Sequence, residues 1–208
     1  LVDYTATVRG SFFDTDNFPK VGDCVEYSEV ADGKTVIESI LPRTSSIVRK
    51  SVETGLPQTI VTNVDLIFIV MGLDGDFNLS RLERYLLLAK QSNIEAVILL
   101  NKSDMVDGLE ETINKVKEIA GETPVLSLSA LTGENMSSML PYLKEGITAV
   151  LLGSSGAGKS TITNWLLNED KQSVADVRGD DSRGRHTTTS KQLFSLPTGG
   201  YLIDPPGM

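Results

Sequence analysis

The stretch ITAVLLGSSGAGKSTITNWLL restricts the fold of this chain more than any other. A run of strand character passes through a glycine-rich turn into a run of helical character. The turn has Gly153, four residues, then Gly158, Lys159 and Ser160, which is the spacing of a phosphate loop. Glycines let the backbone turn its N–H groups inward around phosphates, and the helix from Lys159 offers its positive end to the same point. Lys159 can reach β and γ phosphates, the Ser160 hydroxyl can hold Mg²⁺, and Thr161 can meet the α phosphate. Ser154, Ser155, Gly156 and Ala157 complete the loop. The motif points to a nucleotide without naming its base.

The surrounding periodicity fits. VDLIFIV reads as a buried strand and SRLERYLLLAKQ as a helix with Leu82, Tyr85, Leu86 and Ala89 on one face. Strand EAVILL, helix LEETINKVKEIA, strand PVLSLSA, helix NMSSMLPYL, strand ITAVLL and helix STITNWLL continue the alternation. It predicts a parallel sheet covered on both faces, and KQLFSLP with GYLID predicts a closing hairpin. Residues 1–60 differ. YTATV, DCVEY and KTVIESI are short β-rich runs between turns, the pattern of a small all-β barrel or sandwich, with an oligonucleotide-binding barrel among the candidates. The stretch after Ile40, PRTSSIVRKSVETGLPQ, reads as a connector carrying Arg43, Arg49 and Lys50. The expected domains are therefore 1–60 and 61–208.

The base reader is NKSD, Asn101 to Asp104, directly after EAVILL. A carboxylate at Asp104 can accept both N1–H and the exocyclic amine of guanine, a donor pair that adenine lacks. Asn101 either binds the base N7 or braces neighbouring loops, and the Lys102 stem can lie along the ring. Alone, such a polar turn is as often a helix start. Ser129-Ala130, at the end of the next strand, adds a backbone N–H for guanine O6. All three loops fall at the carboxyl ends of strands, where open α/β sheets bind ligands. NKSD nevertheless precedes the phosphate loop, the reverse of the usual order. A circular permutation accounts for this, because surface connections can move while the strands keep their neighbours.

Asp204-Pro205-Pro206-Gly207 follows the strand GYLI. Asp204 can meet Mg²⁺ through water, and the Gly207 N–H can approach the γ phosphate. The polar segment ADVRGDDSRGRHTTTSKQLF has the composition of an order–disorder switch. One of Thr187, Thr188 and Thr189 closes on Mg²⁺, with Thr188 the choice. Arg183, Arg185 and His186 touch transferred phosphate, contact RNA or solvate the loop. Net charge is -9, which excludes a surface that wraps nucleic acid throughout, although residues 171–191 carry five Lys/Arg against three Asp. No run reaches membrane-span length. The single cysteine, Cys24, excludes an internal disulfide and a cysteine-rich metal site and fits a reducing compartment.

The order NKSD, SLSA, GSSGAGKST, SRGRHTTT, DPPG resembles that of circularly permuted bacterial GTPases of small ribosomal subunit biogenesis, the small-ribosomal-subunit-dependent GTPase A family. The resemblance implies an oligonucleotide-binding barrel, a permuted GTPase domain and a C-terminal zinc-binding domain, so the chain is expected to be truncated at its C-terminal end. It implies that Asn101, Lys102, Ser103 and Asp104 read guanine with Ser129 and Ala130. Gly153 to Thr161, Asp204 and Gly207 then hold GTP or GDP, with Mg²⁺ on Ser160, Thr188 and Asp204. Zn²⁺ is expected only in the further domain. The implied partners are the small ribosomal subunit and its rRNA, with no membrane, a monomeric state and a cytoplasmic location.

Two positions depart from expectation. Pro205 stands where threonine is usual, removing an N–H. Met208 stands where Ras-like switches carry a water-orienting glutamine, so intrinsic hydrolysis is expected to be slow and raised by the subunit. Water then falls to His186 or to a ribosomal group. The leading expectation is a GTPase with Lys159, Thr188 and His186 in its chemistry. A GTP-dependent RNA-binding assembly module with negligible hydrolysis and, more remotely, an ATP-using P-loop protein are the alternatives.

Overall fold

A computed structural model describes residues 5–12, 18–30, 34–50, 55–168 and 192–204. Thr188, His186 and Gly207, with Arg183, Arg185, Pro205 and Met208, lie outside them. The chain divides into two compact units, Leu1–Asn63 and Val64–Met208.

The first unit is all-β among its described residues, apart from a short 3-10 turn at Gly10–Phe12. Strands β1 (Ala6–Val8), β2 (Val25–Val30) and β3 (Lys34–Ile40) form one sheet in the order β1-β3-β2, and β4 (Ser46–Lys50) pairs antiparallel with β5 (Pro57–Thr62). The expected connector is therefore largely a hairpin. Its signal was a single alternation around Ile47, which is fully buried. Asp23 closes the unit. Its carboxylate receives Arg43 through Nε and Nη2 at 2.7 and 2.8 Å, the Lys20 amide at 2.7 Å and the Thr62 hydroxyl at 2.7 Å. Burial pushes this carboxyl up, but Arg43, the Lys20 amide and Thr62 outweigh it and hold the group below its ordinary value. Gly22, at φ 97°, makes the approach possible: a Cβ there would lie 2.0 Å from the Thr62 carbonyl oxygen.

The second unit holds a six-stranded sheet. Its strands are β6 (Leu66–Gly72), β7 (Glu95–Asn101), β8 (Val125–Leu128), β9 (Thr148–Leu152), β10 (Gln192–Ser195) and β11 (Tyr201–Asp204), in the order β10-β11-β9-β6-β7-β8. All neighbours are parallel except the hairpin β10–β11. Strand β6 is buried at every residue, as its unbroken apolar run demands of a central parallel strand. Fully burying Phe68 or Ile69 contributes about 1.5–3 kcal/mol each. Helix α1 (Leu79–Ser92) starts where the Asn78 side chain caps the Arg81 amide at 2.9 Å, and it ends at left-handed Asn93. It buries Leu82, Tyr85 and Ala89, while α2 (Leu109–Ala120) buries Val116 and Ala120. Helix α3 (Lys159–Asn168) follows the phosphate loop.

The expected helix NMSSMLPYL is instead a 3-10 segment, Met136–Tyr142. Pro141 lies within it and supplies no N–H for an α-helical bond, while left-handed Asn135 precedes it. Met136, Met139 and Leu143 still reach the core.

Chain order runs outward from β6 through β7 to β8, then returns across β6 to β9. The carboxyl ends of β6 and β9 thus flank a topological switch point, where open sheets hold ligands.

Candidate nucleotide site

Four loops leave the carboxyl edge of the sheet in spatial succession. The phosphate loop follows β9, residues 73–78 follow β6, NKSD ends β7, and Ser129-Ala130 follows β8.

Asn101 joins three of these strand ends. It is almost wholly buried, its Oδ1 accepts the Ala130 N–H at 2.9 Å, and its Nδ2 donates to the Ala157 carbonyl at 2.8 Å. Of the two roles open to Asn101, this geometry is the brace. It also takes up the Ala130 N–H that was expected for guanine O6. Ser129 is buried and its Oγ accepts the Thr132 amide at 3.2 Å, which shapes the turn. The brace explains one glycine sharply. A Cβ on Gly158, at φ 98°, would lie 2.1 Å from Asn101 Nδ2. Gly153 is equally confined, its Cβ position lying 2.4 Å from the Val70 carbonyl oxygen.

Lys159 folds back over the phosphate loop, its Nζ donating to the carbonyls of Gly153 at 2.9 Å and Ser154 at 2.8 Å. Burial lowers its pKa, opposed by the negative charge of Asp204. Asp204 is pushed upward by burial, while Lys159 and a hydrogen bond from Thr163 pull it down. Sequence reasoning placed Asp204 and Lys159 in one site, and the sheet brings them within electrostatic reach. Ser155, Gly156, Ser160 and Thr161 are exposed around them.

A buried ammonium, a helix N-terminus, three exposed hydroxyls and a nearby carboxylate are the groups that phosphate with Mg²⁺ requires, so these residues fit both. Among the described residues no three His, Cys, Asp or Glu side chains converge on a common metal position. None of the described helices is long and apolar enough to cross a membrane.

Asp104 lies exposed in the 3-10 turn Ser103–Met105, which left-handed Lys102 introduces. The turn presents the carboxylate to solvent at the sheet edge. Lys102 Nζ is held by Asp74, and Asp76 is bound by Arg81, with one of its bonds at 3.0 Å. Arg81 and then the Ser154 hydroxyl bring Asp76 down to about 2. Asp74 and Asp76 escaped the sequence reading because Leu-Asp-Gly-Asp looks like ordinary turn material. Their signal was position: two carboxylates directly after a buried central strand.

A phosphate loop on one side of the central strand and the NKSD tetrapeptide on the other, encoded in inverted order, define a circularly permuted P-loop GTPase fold preceded by an all-β unit. The comparisons place that class in one family. The RsgA GTPase family model matches residues 40–208, and the chain belongs to that family. It is 45% identical over 191 residues to small ribosomal subunit biogenesis GTPase RsgA 2 of Lactiplantibacillus plantarum, covering 92% of this chain and 54% of that protein. It is 44% identical over 192 residues to RsgA of Methanosarcina acetivorans, covering 91% and 52%. Among solved structures, YjeQ from Thermotoga maritima superposes with a TM-score of 0.70 at 28% identity, over 97% of this chain and 66% of that one. YloQ, described as a circularly permuted GTPase, gives 0.63 at 26% identity over 99% and 64%. The chain spans about half the length of the curated relatives it matches.

Proposed function

We propose that this chain binds GTP and GDP, hydrolyses GTP with Mg²⁺, and couples that cycle to late maturation of the small ribosomal subunit. The observation that carries the reading is the Asn101 brace, which ties the base-reading loop to the phosphate loop across the switch point. The carboxylate of Asp104 accepts N1–H and the amine of guanine. Amides of the phosphate loop and the Lys159 ammonium bind the β and γ phosphates, Lys159 exchanging its carbonyl partners for phosphate oxygens. Held there, Lys159 stabilises the charge that grows on the β–γ bridge as water attacks in line. Ser160, Asp204 and Thr188 would hold Mg²⁺. Bound there, it would neutralise phosphate charge. Gly207 meets the γ phosphate, and His186 or a ribosomal group orients water.

The first unit is the proposed oligonucleotide-binding barrel, which with the basic segment 171–191 contacts rRNA. The family names support a ribosomal partner and, with it, a cytoplasmic location. Substituting Asp104→Asn tests the base reading, because xanthine presents a carbonyl where guanine presents its amine. Affinity should move from GDP to XDP by about a hundredfold or more, and an unchanged GDP preference would remove the assignment. GTP turnover by the full-length protein, with and without purified small subunits, tests the rest. Equal negligible rates would favour an RNA-binding module that does not hydrolyse GTP.

A further inference from the structure

We propose that Asp74 is a positioning residue for guanine-nucleotide binding: it anchors the Lys102 ammonium so that the Lys102 methylenes are held as one wall of the base slot. The inference rests on the reading that NKSD binds guanine. Three observations carry it.

The first is topological. The loop that bears Asp74 leaves β6, which lies between β9, the strand of the phosphate loop, and β7, the strand of NKSD. The second is the path of Lys102. Its backbone is left-handed at φ 68°, and its Cε passes 3.6 Å from where a Cβ on Gly72 would lie. The stem thus runs back over the end of the central strand and meets Asp74 there. The third is how Asp74 is itself held. Its Oδ1 accepts the Asp76 amide at 3.1 Å, and its carbonyl accepts the Phe77 amide at 3.0 Å. Both side chains of the pair are about a quarter exposed. Asp74 is held below the usual carboxylate range by Lys102 first and the Asp76 amide second, so its carboxylate stays ionised throughout neutral conditions.

An unanchored lysine samples many rotamers, and binding a base against its stem must restrict them. Anchoring performs that restriction before the nucleotide arrives. The contribution is therefore to binding the base, which GDP and GTP share, and not to the γ phosphate. A purely electrostatic role would have the opposite sign, since removing an acid near bound phosphates tightens binding.

The experiment is a double-mutant cycle on labelled GDP and GTP binding with Asp74→Ala, Lys102→Met and the pair, alongside Asp74→Glu and thermal melts. Asp74→Ala should raise both dissociation constants alike by about two- to tenfold, with a smaller change in turnover at saturating GTP. The double variant should bind about as Lys102→Met alone does, and Asp74→Glu should recover part of the loss. Multiplicative effects in the double variant, tighter binding, or a loss that follows the unfolded fraction would overturn the proposal. Asp104→Asn run in parallel separates the two readings. If it gains XDP while the cycle shows no coupling, only the role of Asp74 falls. If XDP is not gained, the guanine reading falls with it.

Discussion

The polar cluster around Asp23 in the first unit and the one around Asn101 in the second use similar chemistry for different ends. Asp23 is satisfied by Arg43, Thr62 and the Lys20 amide, all within its own unit, and it ties a turn to the β4–β5 hairpin. Asn101 is also buried and doubly bonded, yet the groups it ties are the ends of loops whose outer atoms face solvent. Asp104, only three residues on, is exposed. A buried polar network serves as a frame in both places. Only around Asn101 do exposed donors and acceptors stand on that frame, as the proposed nucleotide site requires.

The largest effect is expected at Gly158. Gly158→Ala places a methyl group against Asn101 Nδ2 at a backbone angle alanine resists, so GDP affinity measured by calorimetry should fall by about a hundredfold or more. Asn101→Ala leaves the Ala130 N–H and the Ala157 carbonyl without this partner. It should cost about 2–4 kcal/mol in urea unfolding and weaken GDP more than tenfold. Arg43→Ala strands the Asp23 carboxylate and should destabilise the first unit by about 2–4 kcal/mol with GDP binding unchanged. A matching loss of GDP affinity would refute the separation of the two clusters.

Acid titration sharpens the same point more gently. The folded pKa of Asp23 is depressed, so its stabilisation is fully present above about pH 4, the unfolded carboxylate value, and is lost as pH falls through the folded value. Melts between neutral pH and pH 3 should show that loss, and Arg43→Ala should flatten it. The smallest effect belongs to the exposed i,i+4 pair Glu111–Lys115 on α2, where Lys115→Ala should leave the melting temperature within error.

Legibility followed how local each constraint is. The phosphate loop was readable because its glycine spacing and flanking elements are contiguous, and the β10–β11 hairpin because Thr-Gly-Gly separates two apolar runs. The connector after Ile40 hid a strand because only Ile47 of β4 carries the inward pattern. The 3-10 segment was misread as a helix because apolar spacing there outweighed the signal of Pro141. NKSD remained ambiguous by itself, since a polar turn before a helix has many uses.

The sequence alone determined the alternation of buried strands and helices, the phosphate loop and the inverted order of motifs, because hydrophobic period and glycine spacing are properties of neighbours along the chain. Tertiary structure decided that Asn101 braces the loops, that Ala130 gives its N–H to that brace, and that Lys102 is held by Asp74. Those contacts join residues 29, 56 and 28 positions apart, and only the strand order of the sheet brings them within hydrogen-bond reach.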